Sequence, residues 1–148
     1  MAEPTSLKAH SPLQTQRKWP LLKVNTFIYT SLETGDYNCV SWALGLTDVD
    51  RGFIYTDDGD AEPDQNIDRY INYFRDFGFV VCESSEFEKD FEKIALYANE
   101  LSQFLHVARQ LEDGTWTSKL GEYEDINHFN LDALSGPFYG SPFIYMKR

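Results

Sequence analysis

Residues 36–45 read Asp-Tyr-Asn-Cys-Val-Ser-Trp-Ala-Leu-Gly, a segment that predicts a short helix with a cysteine at its start. Asp36 or Asn38 can cap this helix, because either side-chain oxygen can accept a hydrogen bond from an amide of the first turn. Gly45 predicts where the helix ends, since glycine adopts the left-handed conformation of a C-terminal cap at little cost. The segment therefore predicts that Cys39 lies in the first helical turn.

A cysteine in a first turn has two interpretations. The amides and the helix dipole favour an anion there, so the pKa of the Cys39 thiol would fall and the nucleophilic thiolate would form. Alternatively, Cys39 is a small residue that packs in the core. His106 favours the first interpretation, because it lies in the middle of a predicted strand over residues 104–111. If that strand faces the helix, the imidazole can take the thiol proton.

The third group of such a site depends on the turn that follows His106. Glu112-Asp113-Gly114 is a strong hairpin signal. A two-residue loop would place Lys119 on the face of His106, whereas a three-residue loop would place Ser118 there. We favour Ser118 and keep Lys119 and Asp125 as alternatives. The resulting site would be a cysteine hydrolase or acyl transferase acting on an amide or thioester bond of a peptide-like substrate.

The remaining pattern predicts an α+β domain. Apolar residues recur at spacings of three and four over residues 67–77 and predict a core-facing helix that ends at Gly78. A buried strand is expected at 79–82, and short helical turns at 125–134. Helices segregated from an antiparallel sheet of about four to five strands give the α+β class. Further strands are predicted over residues 24–29, 92–98, 104–111, 115–120 and 142–146.

Composition limits the partners. Thirteen basic and 24 acidic residues give a net charge of -11. Such a surface repels phosphate backbones, so we expect no nucleic acid as a partner, while a basic protein would be attracted. The acidic segment 47–66 lacks the ligand spacing of a calcium loop and is expected to be a solvated loop. We expect neither a bound metal nor a cofactor.

The sequence also predicts the domain organisation and the cellular compartment. Residues 1–18 are expected to form a flexible or peripheral arm, and residues 19–148 a single domain. No apolar run is long enough to cross a membrane, and the first residues lack the pattern of a signal peptide. Two cysteines, Cys39 and Cys82, are too few for a disulfide framework. We therefore expect reduced thiols in a cytoplasmic protein.

The chain resembles an uncharacterised bacterial domain family from about residue 25 to its C-terminus. The resemblance is carried by Tyr-Asn-Cys-Val-Ser-Trp-Ala-Leu-Gly at 37–45 and by residues 91–97, 106–111 and 113–121. More distantly, a cysteine on a helix and a histidine on a later strand resemble the papain-like NlpC/P60 and CHAP hydrolases. That resemblance implies a papain-like core with Cys39 as nucleophile and His106 as base. The alternative function is a non-catalytic acidic module on the same scaffold, which binds or neutralises a basic protein such as a toxin.

Overall fold

A computed structural model describes residues 17–22, 27–31, 38–45, 65–120 and 124–148. In these ranges the chain forms an antiparallel sheet of seven strands in the spatial order β1-β6-β5-β4-β3-β7-β2. The α+β class is confirmed in outline, but the expectation of four to five strands is wrong, and a papain-like core is not shown. The strands are β1 (Phe27–Tyr29), β2 (Val80–Cys82), β3 (Lys93–Ala98), β4 (Phe104–Gln110), β5 (Trp116–Lys119), β6 (Asp125–His128) and β7 (Ser141–Lys147).

The predicted cysteine helix is present as α1 (Cys39–Ala43). Asn38 is its cap, because the side-chain Oδ1 of Asn38 accepts a hydrogen bond of 3.0 Å from the amide of Ser41. Gly45 follows with a φ of 78°, as expected of a residue that ends a helix. The local sequence therefore predicted both ends of α1 correctly.

The amphipathic helix is also confirmed, as α2 (Ile67–Asp76). Its spacing of apolar residues buries Ile67, Tyr70, Ile71 and Phe74, while the opposite side of the helix is exposed. The ring of Tyr70 stacks on that of Phe104 in β4, with the ring centroids 3.9 Å apart. This packing fixes α2 on one face of the sheet.

The sheet separates two apolar clusters, because successive side chains of a strand point to opposite faces. On the first face, Leu96 and Val107 pack with α1 and α2. On the second face, Tyr97 and Ala108 pack with a short 3-10 helix, Leu131–Leu134. We call these the Cys39 face and the His106 face. The position of a residue on one face or the other determines which groups can meet.

Two predicted elements differ from the structure. The strand at 79–82 is not buried: Val80 and Val81 of β2 are exposed, because β2 is the edge strand and, among the described strands, pairs only with β7. Residues Asp125–His128 form β6 and not helical turns, because they pair with β5 on one side and β1 on the other. Helical turns begin later, at Leu131. Pairing with distant strands outweighed the local sequence signal at both positions.

The predicted arm apart from residues 17–18, and the acidic segment apart from residues 65–66, lie outside the described residues. Of the helices that the structure describes, none has the length and apolar character needed to span a bilayer.

Candidate functional site

The β4–β5 hairpin places Ser118 beside His106. Arg109 pairs with Thr117, and the amide of Leu111 donates to the carbonyl of Thr115, so the loop holds the three residues 112–114. This is the three-residue alternative that favoured Ser118. The Oγ of Ser118 lies 3.0 Å from the Nε2 of His106. The structure thus brings together two of the three predicted site residues.

A second imidazole shares the same hydroxyl. The Nε2 of His128 lies 2.8 Å from Ser118 Oγ, and its Nδ1 lies 2.9 Å from the carbonyl oxygen of Asn130. A carbonyl oxygen only accepts, so His128 donates from Nδ1, and in the neutral ring its Nε2 accepts from the Ser118 hydroxyl. Ser118 in turn accepts from the Nε2–H of His106. The three side chains therefore form one directed chain of hydrogen bonds.

Both imidazoles are neutral because they are buried. Burial lowers the pKa of His106 well below its usual value, and the neighbouring His128 adds to the effect. Burial also lowers the pKa of His128 to about 4, although the bond to Asn130 opposes this shift. The His106 ring stacks on Tyr139 at a centroid distance of 4.1 Å. His106 Nδ1, a lone-pair acceptor in this tautomer, has no hydrogen-bond partner among the described residues.

Cys39 lies in the other cluster. Its side chain is 4% exposed and packs with residues such as Leu96 and Val107. Burial raises the pKa of the Cys39 thiol to about 11, although backbone hydrogen bonds and the positive charge of Lys119 lower it. The expected fall in the pKa of Cys39 is therefore wrong, because α1 has only five residues and desolvation outweighs its dipole.

The sheet lies between Cys39 and His106. Val107 hydrogen-bonds with Cys39, so its neighbour His106 points to the opposite face, where it contacts Tyr97 and Tyr139. The structure therefore does not bring the predicted nucleophile and base together. The physical reason is the alternation of side chains along β4.

The two alternative third residues lie with Cys39 and not with His106. Lys119 follows Ser118 in β5 and affects the pKa of Cys39. Asp125 faces the same side, near Arg109, whose pKa is lowered by burial although the charges of Glu92 and Asp125 oppose this shift. Neither residue is therefore placed to orient the His106 ring. In the described ranges, no three His, Cys, Asp or Glu side chains are grouped so that they could hold a metal ion.

The sequence did not predict which other residues hydrogen-bond or stack with His106 and Ser118. His128 was not among the predicted site residues, and its bond to Ser118 was not foreseen. Alternation of Ile126 and His128 was the available signal, since both face the His106 cluster. Because helical turns were predicted for residues 125–134, this alternation was not recognised as a strand pattern. Tyr139 lies in a loop and carried no local pattern that points to His106.

An exposed apolar site lies at one end of the sheet. Leu101, in the β3–β4 turn, is 78% exposed, and Phe143, near the start of β7, is 52% exposed. Both residues line two adjoining hollows of about 560 Å³ and 730 Å³. The charged residues that line these hollows are both acidic, Asp68 and Glu100. We call this region the Leu101–Phe143 surface.

Hydrogen bonds hold the turn that presents Leu101. The Oδ1 of Asn99 accepts from the amides of Leu101 and Gln103, at 3.0 Å and 3.1 Å. The carbonyl of Ser102 accepts from the amide of Ile67 at 3.0 Å, which ties the turn to the start of α2. Leu101 is therefore held in an exposed position by a fixed backbone. A preformed turn of this kind loses little conformational freedom when a partner binds.

Comparison with known proteins places the chain in a family. No curated protein and no solved structure matches it. A family model matches residues 28–147 and so covers most of the 148 residues, including all seven strands but for the first residue of β1. This agrees with the resemblance to an uncharacterised domain family, whereas a likeness to papain-like hydrolases is not shown. The chain belongs to the family described as a domain of unknown function, DUF7689.

Proposed function

We propose that this protein is a non-catalytic module that binds a basic protein partner through the Leu101–Phe143 surface. The observation that supports it is the combination of two exposed apolar side chains with an acidic lining. Asp68 lines one hollow and Glu100 the other, and among the described residues no lysine or arginine lines either hollow. Such a surface suits a partner segment with apolar residues at its centre and cations at its margin.

The apolar side chains would supply most of the affinity. Full burial of a leucine or phenylalanine side chain is worth about 1.5–3 kcal/mol each. Part of that energy is available from Leu101 and Phe143, since both are more than half exposed. Because the Asn99 hydrogen bonds already fix the turn, little of it is lost to ordering the backbone.

The charge selects the kind of partner. The net charge is -11, and the residues Asp68 and Glu100, which line the two hollows, are both acidic. A second copy of the chain and an anionic lipid surface would both be repelled by this charge. A basic protein would be attracted, and its association rate would rise at low ionic strength.

The cysteine hydrolase stays a prediction from the sequence, and the geometry gives it no support. The thiol of Cys39 is buried with its pKa raised to about 11. His106 contacts Ser118 on the other face of the sheet. A thiolate–imidazolium pair needs both groups in one site. The binding function therefore fits the described residues better than hydrolysis does.

A designed amphipathic peptide tests the proposal. The probe carries leucines on one face of a helix and lysines on the other, and its matched control carries glutamates in place of the lysines. Calorimetry should detect binding of the lysine peptide to the protein but no binding of the glutamate peptide. The double variant Leu101→Ser/Phe143→Ser should bind it at least about 30-fold more weakly, because each side chain contributes more than about 1 kcal/mol.

The matched protein control is Phe129→Ser. Phe129 is also an exposed phenylalanine, but it follows β6 at the opposite end of the sheet from Leu101. This variant should bind like the wild type. Equal binding of the lysine and glutamate peptides, or equal loss in Phe129→Ser and in the double variant, would show the proposal to be wrong.

A further inference from the structure

Two phenylalanine rings, of Phe79 and Phe91, and two carboxylates, of Glu88 and Glu92, contact the side chains of Lys147 and Arg148. The Nζ of Lys147 lies 4.4 Å from the centroid of the Phe91 ring and 3.0 Å from a carboxylate oxygen of Glu88. A ring face and a carboxylate together thus hold one cation. Cation–π attraction and ion pairing act on the same ammonium group.

Arg148 is held in the same way. Its guanidinium carbon lies 4.5 Å from the centroid of the Phe79 ring, and its Nε lies 2.6 Å from a carboxylate oxygen of Glu92. In both arrangements a phenylalanine ring and a carboxylate contact the same basic side chain, and Glu88 also pairs with Lys93 at 3.0 Å.

Phe87 is a third phenylalanine in this region, and it lines the same groove as two carboxylates. Its ring is 46% exposed and lines a groove of about 980 Å³, together with Asp90 and Glu112. A Cβ added to Gly114 would meet the Cβ of Phe87 at 3.8 Å, so Phe87 lies against the β4–β5 turn that carries Glu112. In the part of the chain that the structure describes, no cation lies over Phe87 and no ion pair engages Asp90 or Glu112.

The other charges of the groove leave it acidic. Four carboxylates and two basic residues line it. Glu92 is already bound by Arg148, and Arg109 is already placed over the Trp42 ring at 4.8 Å. Asp90, Glu112 and Asp113 then outnumber Lys89. An additional cation is therefore favoured in this groove.

We propose that this groove binds an arginine or lysine side chain of a partner protein, with the cation against the ring of Phe87 and the carboxylates of Asp90 and Glu112. The groove lies at the opposite end of β4 from the Leu101–Phe143 surface, so the two sites are separate. It extends the contact with a basic partner to a second region, and it stands even if the first surface binds nothing.

A short arginine peptide is the probe. Tetra-arginine is titrated into the isotope-labelled full chain at low salt, and affinity is measured from the amide shift of Gly114, which lies beside Phe87. Tetra-citrulline is the matched probe, because citrulline keeps the shape of arginine without its charge. We expect tetra-arginine to move the Gly114 signal and to bind at least about tenfold more tightly than tetra-citrulline.

The protein variants separate the ring from the charge. Phe87→Leu keeps an apolar side chain but removes the ring, and Glu112→Gln removes one charge. Each should weaken tetra-arginine binding about threefold or more, while Phe138→Leu, which alters an exposed phenylalanine in another loop, should not. The Leu101→Ser/Phe143→Ser variant should bind tetra-arginine like the wild type, which keeps this test separate from that of the proposed function. Unchanged affinity in both Phe87→Leu and Glu112→Gln, or equal binding of tetra-citrulline, would overturn the inference.

Discussion

Mild acid should destabilise this protein through its two buried imidazoles. Burial holds the folded-state pKa of His128 at about 4 and that of His106 well below its usual value, whereas both have an ordinary pKa of 6.5 in the unfolded chain. Between these values the unfolded chain binds more protons than the folded one. Stability is therefore complete above about pH 6.5 and is lost as the pH falls through 6.5 towards the folded-state values.

The size of the effect follows from the linkage relation. At about pH 5 the unfolded imidazole of His128 is almost fully protonated, while the folded one, with a pKa of about 4, is almost fully neutral. The loss between about pH 7 and pH 5 is then roughly 2 kcal/mol from His128 alone, and the lowered pKa of His106 adds to this loss in the same direction. Set against the roughly 5–15 kcal/mol that typically separates folded from unfolded domains, the loss from His128 alone is a substantial part of the stability.

Urea unfolding at the two pH values measures this loss, with the fluorescence of the buried Trp19 and Trp116 as the signal. The variant His128→Gln should be less stable at both pH values, but its loss on acidification should be smaller than that of the wild type by about 2 kcal/mol, because the His128 imidazole no longer titrates. This difference in pH dependence separates titration from packing. A wild type whose unfolding free energy is equal at pH 7 and pH 5, or a variant with undiminished pH dependence, would refute the reasoning.

Two further predictions concern accessible chemistry and backbone geometry. Iodoacetamide should label the half-buried Cys82 faster than Cys39 in the native protein, because the Cys39 thiol is buried with a pKa of about 11. Mass spectrometry measures the labelling of each cysteine, and faster labelling of Cys39 would instead support the cysteine hydrolase. Gly140→Ala should cost about 3 kcal/mol or more in thermal unfolding, because φ is 68° and the new Cβ would overlap the Ala98 carbonyl oxygen. Gly114→Ala is its control, with a φ of 88° but room for a Cβ, and should cost only about 1–2 kcal/mol; equal costs would contradict the steric argument.

The predictions that the structure confirms rest on local sequence patterns. The 3.6-residue spacing of α2 and the turn residues 112–114 each act over one element, so they fix that element wherever it packs. The cap at Asn38 and the stop at Gly45 are likewise local. Edge exposure of β2 and the strand character of β6 depend instead on which distant strands pair with them. No window of sequence around those strands contains that information.

The face on which His106 lies could not be predicted by alternation from Phe104. Strict alternation would place Phe104 and His106 on the same face of β4, but they lie on opposite faces. A register shift in the pairing of β4 with β3 lies between them, opposite Tyr97 and Ala98. Phe104 consequently packs on α2, while His106 points to Ser118. A bulge of one residue reverses the face to which each later side chain of the strand points. The local composition of β4 does not predict this bulge.

The short edge strand β2 has a consequence for the behaviour of the protein at high concentration. Of the described residues, only 80–82 form this border strand; the chain turns at Gly78 before it and continues through Glu83 and Glu86 after it. A neighbouring molecule could form only a few main-chain bonds there before like charges met. Fibrillar stacking from this border is therefore disfavoured even though two valines are exposed on it.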